Sequence, residues 1–586
     1  MRKQTKIAAI VSAAALLAIG ASMTSFAATG WQEEDGTWVY YNRAEEKVTD
    51  KWEKSGDNWF YLDSDGYMAT DILIEDDDDY YYVDANGAMV RNQWIAIDNE
   101  DAGNDDDEPE VHWYYFQNNG KAYRKKGSTQ VFKKTINGKT YCFNEDGQMQ
   151  YGWVDGEGNH DGDDSAWSTC DYYFGDENDG AMSVGWRLIS ITDDVSDPDT
   201  LQPGDSFWDD DQDRWFWFKS SGKKQKGDET KDNGIKTDKT INGKKYGFDQ
   251  YGRMVADWIS TDASYSDATQ GDADFTRTFL YFSSPEDGAR YTKGWFKVVP
   301  GTYLHTGKHD DGDNYWYYAD GKGHLIASEI KTIKSKKYAF DGYGRMKKGL
   351  QFIVFKETGN YKDIAEVLAD DDYGKGRYRD KFEGYDNEDR FDDTVFNLTT
   401  ELENEECGFY FFSNDEDHDG SMKTGKQSIT LDGDSFTFRF YTSGAHKGMG
   451  ITGVEDKKIY VGGKMVVADK DEKVNFYVVD DVVIDGATVF YAGDKVTVSE
   501  LIKTGVVEYV ETTKNDEDIY KPVADFTGEK WCNYFVGINT SGAILTSGTK
   551  KDGDDYKINF KQVKGKNVIV LGKSVKAGYV NEIKLK

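Results

Sequence analysis

Proline is scarce in this chain, at six residues in 586, and the four cysteines and seven histidines are almost as sparse. Cys142, Cys170, Cys407 and Cys532 lie far apart with no CxxC pair, which rules out both a disulfide framework and a thiolate zinc site. A Cys142–Cys170 bridge is the one pairing that nearness in sequence allows. The histidines are scattered, and there is no HExxH, nucleophile elbow or Gly-rich phosphate loop. Basic residues are outnumbered, 71 against 107 acidic, for a net charge of −36. That charge argues against nucleic acid and other polyanions. It suits cationic or zwitterionic ligands, sugars or metal ions, and it keeps an exported protein soluble. Long apolar runs are missing beyond the first residues. There, Arg2, Lys3 and Lys6 precede an apolar run from Ile7 to Ala21, and Ser25-Phe26-Ala27 follows. Residues 1–27 read as a signal peptide; the run falls short of the ~20 residues of a membrane span. No membrane contact is expected after cleavage. Helical periodicity is missing too, so helix content should be low.

Aromatic residues, 15% of the chain, are what is abundant, and they are evenly phased. The doublets Trp38/Tyr40, Trp59/Tyr61 and Tyr80/Tyr82 start 21 residues apart, and Trp31, Trp52, Leu73 and Trp94 repeat at the same period. Such self-similarity marks a stacked repeat architecture. The unit Asn58-Trp59-Phe60-Tyr61-Leu62-Asp63-Ser64-Asp65-Gly66 recurs from Asp79, and further copies begin at Trp113, Trp215 and Trp316. Alternating aromatics followed by Asp/Asn-x-x-Gly read as a β-hairpin whose turn is made by that glycine. With a period of two, Phe60/Leu62, Tyr81/Val83 and Tyr114/Phe116 form a core face. Trp59/Tyr61, Tyr80/Tyr82 and Trp113/Tyr115 form the opposite face, a row of shallow ring sites. The structural alternative is that these rings only pack between hairpins.

Three copies, Lys134–Phe143, Lys239–Phe248 and Lys331–Phe340, keep the core face but carry Thr140/Cys142, Lys245/Gly247 and Lys337/Ala339 opposite it. They read as structural spacers without complete sites. Between them lie expanded repeats with long acidic loops, such as Asp155–Ser165 and Asp370–Asp393. The fold class expected is all-β: an elongated solenoid of stacked β-hairpins over 28–450, then a β-rich C-terminal region, 451–586, with Lys458-Ile459-Tyr460-Val461 echoing the spacers.

Asp415-Glu416-Asp417-His418-Asp419-Gly420 opens like a calcium loop, but its twelfth position is Lys426 rather than a bidentate Glu. His309–Asp313 and Asp76–Asp79 are as incomplete. No metal and no cofactor is expected, and no catalytic residue is assigned.

These motifs resemble the cell-wall-binding repeat family, which includes choline-binding and glucan-binding repeats. The resemblance rests on Gly30-Trp31 to Tyr41, Lys51-Trp52 to Met68, Thr135–Lys139 to Met149 with Gly152-Trp153, Gly185-Trp186, Thr240–Lys244 to Met254, Gly294-Trp295 and Tyr315–Tyr318, and spans residues 30–450. It implies a left-handed β-solenoid with a ligand site between consecutive hairpins. Carried over by position, it makes Trp31, Trp38, Tyr40, Trp52, Trp59, Tyr61, Trp94, Trp113, Tyr115, Trp153, Trp186, Trp215, Trp217, Trp295, Trp316 and Tyr318 ring-site residues. Tyr80 and Tyr82 join them by spacing. Leu73 and Leu350 stand where tryptophan is expected. The expected function is non-catalytic: a secreted surface protein bound non-covalently to cell-wall polymer, either choline-substituted teichoic acid or a glycan. The alternatives are a glucan-binding adhesin or matrix protein, and a wall hydrolase with its catalytic part in 451–586.

Overall fold

A computed structural model describes residues 29–102, 109–127, 129–192, 211–228, 230, 234–261, 270–356, 362–368, 407–414, 419–431, 433–468, 470, 473–479, 482–484, 487–490, 492–496, 498–503, 507–510, 519–522, 535–552, 555–562, 568–570, 573–576 and 578–585. The leader, the Asp370–Asp393 loop, residues 415–418 of the acidic loop, Trp531 and Cys532 lie outside the described residues. The fold is all-β. Helix among the described residues is confined to Ala166–Thr169, Ala273–Thr276, Thr306–Asp310 and Val498–Lys503. None is long and apolar enough to cross a membrane.

The repeating element is a two-stranded antiparallel hairpin. Gly30–Glu34 pairs with Thr37–Tyr41, Lys51–Ser55 with Asn58–Leu62, Ile72–Asp76 with Asp79–Val83, and Gln93–Asp98 with Val111–Phe116. The tight turn lies before the aromatic strand, not after it as the sequence motif suggested. Asp35-Gly36, Asp77-Asp78, Asn137-Gly138 and Asn242-Gly243 each place both residues at positive φ, the requirement of a two-residue turn that matches strand twist.

The Asp/Asn-x-x-Gly motif makes a second turn that leads out of the hairpin. The Asp63 side chain accepts from the Asp65 and Tyr67 amides at 2.9 and 2.8 Å. Asp84, Asn144, Asp249 and Asp341 repeat the arrangement. This turn lays the following residue across the preceding hairpin. The Met68 amide donates to the Trp38 carbonyl, Met89 to Trp59, Ala122 to Tyr80, Met182 to Thr140, Met254 to Trp215 and Met346 to Trp316, each at 2.8 Å. A lone hairpin is marginal in water, so these stitches convert separate hairpins into a stack. Gly87 shows how tight the contact is. Its φ is +77°, and a Cβ there would sit 2.8 Å from Met68 Sδ.

Period-two sorting of the strands holds. Phe60, Leu62, Val83, Tyr114, Phe116, Tyr141, Phe143, Tyr246, Phe248, Tyr338 and Phe340 are buried; Tyr81 stays half-buried. The thiols of Cys142 and Cys170 are free and buried rather than bridged. Each reaches an oxygen at 3.6 Å, Gly158 O and Asp161 Oδ2, and burial pushes each pKa up to about 12.

The chain divides into two compact units, 1–198 with 205–255, and 199–204 with 256–586. The second unit ends in larger sheets around Val474, Phe476, Val498, Leu545, Ile558, Phe560, Val580 and Ile583. A repeat-like turn persists there: the Asn539 side chain accepts from the Ser541 and Ala543 amides, and Ile538 bridges Ile544.

Gly87→Ala must both adopt a left-handed backbone and displace Met68. It is expected to lower stability by about 1–3 kcal/mol, read as a lower urea midpoint; an unchanged midpoint would contradict the stitched stack.

Candidate ligand sites between consecutive hairpins

Six hairpins set two rings side by side across their strands. Trp31 stands opposite Tyr40, Trp52 opposite Tyr61, Trp94 opposite Tyr115, Trp153 opposite Tyr173, Trp186 opposite Trp217 and Trp295 opposite Tyr318. The rings of every pair meet edge to face, with centroids 5.0–5.3 Å apart. The next hairpin then supplies a third ring from its core-facing side. Phe60 lies 5.3 Å from Trp31, Tyr81 5.1 Å from Trp52, and Phe216 5.3 Å from Trp153.

Three of these ring sets are nearly superimposable in their internal geometry. Around Trp94 stand Tyr141 at 4.8 Å and 64° and Phe143 at 5.8 Å and 22°. Around Trp186 stand Tyr246 at 4.9 Å and 63° and Phe248 at 5.8 Å and 22°. Around Trp295 stand Tyr338 at 4.9 Å and 66° and Phe340 at 5.7 Å and 24°. The contributing hairpins are the three read from sequence as spacers. They carry no indole at their own outer positions, yet each completes the ring set of the hairpin before it. Trp215 and Trp316 close the flank of two sets, 6.3 Å from Trp186 and 6.4 Å from Trp295. Trp113 packs on the same Tyr141/Phe143 cluster as Trp94. Each edge-to-face contact contributes about 0.5–1.5 kcal/mol beyond burial.

All the site residues expected from sequence are half-buried, except Trp59, which is 38% exposed. The structure gathers them unevenly. Trp38 stands opposite Glu33 and Trp59 opposite Lys54 rather than opposite a ring. With Leu73 replacing an indole, Tyr80 and Tyr82 pack against Tyr114 and Phe116. Tyr82 donates to Asp71 at 2.5 Å; burial first and Asp71 second raise its phenol well above the ordinary value. Carboxylates border the rings. Trp52 Nε1 donates to Asp76 at 3.1 Å, and burial, then Asp50 and Asp76, raise the Tyr61 pKa.

Trp258, outside the expected set, has the same ring geometry, with Tyr281 at 5.0 Å and Tyr317 at 5.1 Å. It is closed: 7% exposed, its Nε1 bonded to the Val299 carbonyl. Sequence reasoning also missed Tyr173, the core-side rings Phe60, Tyr81, Tyr141, Tyr246 and Tyr338, and an acidic cleft of about 740 Å³ over Trp153. Asp161, Asp163, Asp164, Glu177 and Asp213 line that cleft with Trp153, Trp167 and Tyr173. The acidic run Asp155–Ser165 was the signal for it; the partners from residues 177 and 213 were not legible. Behind Trp153 lies Lys224, 1% exposed. Burial first drives its pKa down to about 7, with Lys226 adding to the shift and Asp249 and Asp171 opposing it.

Residues 48–94 match the choline-binding repeat family, and residues 112–122 match the putative cell wall binding repeat. Two segments of the chain thus match repeats of the cell-wall-binding kind. The matched repeats hold Trp52, Trp59, Tyr61, Tyr80, Tyr82, Trp94, Trp113 and Tyr115 of the expected set. No curated protein matches the chain. Among solved structures, the autolysin LytC from Streptococcus pneumoniae in complex with a synthetic peptidoglycan ligand is similar at 18% identity, covering 57% of this chain and 56% of that one, TM-score 0.27. This chain thus spans just over half the length of LytC. Choline binding protein F of the same organism, crystallised with a peptidoglycan analogue, is 16% identical over 80% of this chain and 98% of its own, TM-score 0.22. The choline binding domain of Spr1274, also pneumococcal, is 28% identical over 17% of this chain and 96% of its own, TM-score 0.13.

The Lys224 environment yields a pH prediction. An unfolded lysine titrates near 10.5 and the folded one near 7, so folding releases a proton between those values and stability rises across that window. Lys224→Met should therefore be more stable than the parent at pH 7, and its advantage should shrink towards pH 10.5. Parallel denaturation curves at four pH values check this; a constant difference would contradict it.

Proposed function

We propose that this chain is a secreted, non-catalytic protein held on the cell wall by choline-bearing polymer. The ring sets at Trp31, Trp52, Trp94, Trp186 and Trp295 receive the choline groups. The observation that carries this reading is the matched geometry at Trp94, Trp186 and Trp295, in which an indole, its cross-strand ring and two rings of the next hairpin recur within a few degrees. A quaternary ammonium has no hydrogen to donate, so ring faces are its natural receptor, at about 0.5–2 kcal/mol per contact. Each site alone is weak. A polymer bearing many cholines engages several at once, and effective concentration raises the avidity by orders of magnitude. The net charge of −36 favours arrival of a cation. The matched repeat families support attachment to the wall.

A glucan would use the same rings by stacking on sugar faces, with no role for the acidity. Competitive elution separates the two. Free choline is expected to release wall-bound protein and soluble dextran is not. Replacing Trp94, Trp186 and Trp295 together by Ala should cut wall retention at least about tenfold through lost multivalency. Release by dextran alone would overturn the choline reading. Steady release of wall fragments by the purified chain would overturn the non-catalytic one.

A further inference from the structure

The residue that stitches one hairpin to the previous one is usually an apolar Met: Met68, Met89, Met182, Met254, Met346 and Met422. In the hairpin after Trp153 that position is Lys224. Its backbone keeps the pattern, bridging Phe218 and donating its amide to the Asp171 carbonyl at 2.7 Å. Its side chain runs over Gly252, where a Cβ would meet Lys224 Cγ at 3.0 Å, as Gly87 is covered by Met68. The amino group ends inside the ring set. It lies 4.8 Å from the Trp153 ring and 5.6 Å from the Phe216 ring, and it donates to the Trp167 carbonyl. Next to it the second indole of the cleft is engaged in the same way. Arg253, 2% exposed and bound to Asp249 at 2.6 Å, lies 4.7 Å over Trp167.

We propose that Lys224 is a built-in occupant of the Trp153 ring set, which closes this repeat to choline while the Met-bearing repeats stay open. The attraction of a ring for a cation is limited in magnitude. Here the buried amino group already draws on the Trp153 and Phe216 rings. A ligand's ammonium brought to the same indole would meet an amino group already seated against it and, at any pH where that group is protonated, a like charge across a medium of low dielectric. The carboxylates over the cleft do not undo this, because they attract any cation to the mouth without freeing the indole beneath. Lys224 is thus a specificity-determining residue that acts from behind the site.

The inference rests on the choline reading above, and its test separates the two. Choline is titrated calorimetrically into the full chain, into Lys224→Met and into Lys224→Gln. Methionine is the residue most other repeats carry at the equivalent position, and glutamine removes the charge while keeping a donor for the Trp167 carbonyl, so one variant guards against misfolding of the other. Lys224→Met is expected to bind one choline equivalent more than the parent, and adding Trp153→Ala to that variant should abolish the gain. An unchanged number of equivalents in both folded single variants overturns the role of Lys224 while leaving the choline reading intact. Absence of choline binding by the parent and by both variants overturns the choline reading and this inference with it.

Discussion

The structure depends on one contact repeated along the chain: an indole on the first strand of a hairpin inclined at 58–73° to a core-side ring of the next hairpin. A hairpin of five-residue strands buries too little to stand alone. The indole gives each one a neighbour, and the Met-to-Trp backbone bond fixes the spacing at which the rings meet. Because the indole is held by its edge and one face, it stays half-buried instead of vanishing into a core. The same contact that stabilises the stack therefore leaves part of a ring available to a ligand. Under the proposed reading, packing and binding are two uses of one geometry.

The faces of the strands were legible because a period of two is robust: Phe60 and Leu62 are buried while Trp59 and Tyr61 are not. The low helix content followed as directly from missing periodicity. Turn assignment was less legible. Asp63-x-x-Gly66 has strong hairpin chemistry, but Asp77-Asp78 and Lys334-Ser335 make genuine tight turns without a glycine, so the motif led to the wrong connection. The part these spacers play in a neighbour's ring set was missed for a different reason. It asked what each repeat carries on its own outer face, whereas Tyr141, Tyr246 and Tyr338 serve the indole of the repeat before. A site built across a repeat boundary does not show in the alignment of a repeat with itself. Trp258 and Trp167 looked like any other tryptophan in sequence and are buried, Trp258 beneath Val299 and Gly301 and Trp167 against Ile189, Ile191, Phe216 and Phe218.

Variation among the ring sets divides the chain's aromatic inventory into classes. Trp94, Trp186 and Trp295 share one geometry. Leu73 removes the indole from another set, and Trp258 is covered by Val299 and Gly301. At Trp153 a lysine reaches the ring from within, beneath an acidic cleft of about 740 Å³. Repetition thus supplies many copies of one frame, and single substitutions at the indole position or the stitch position make the copies differ.

Intrinsic tryptophan fluorescence under titration with choline, and separately with glucan oligomers, tests the central claim most directly, because the receptors proposed are themselves the fluorophores. A saturable spectral change with choline, with no change from the glucans, is the result the account predicts. Emission that ignores choline at saturating concentration, or that responds only to glucan, would contradict it.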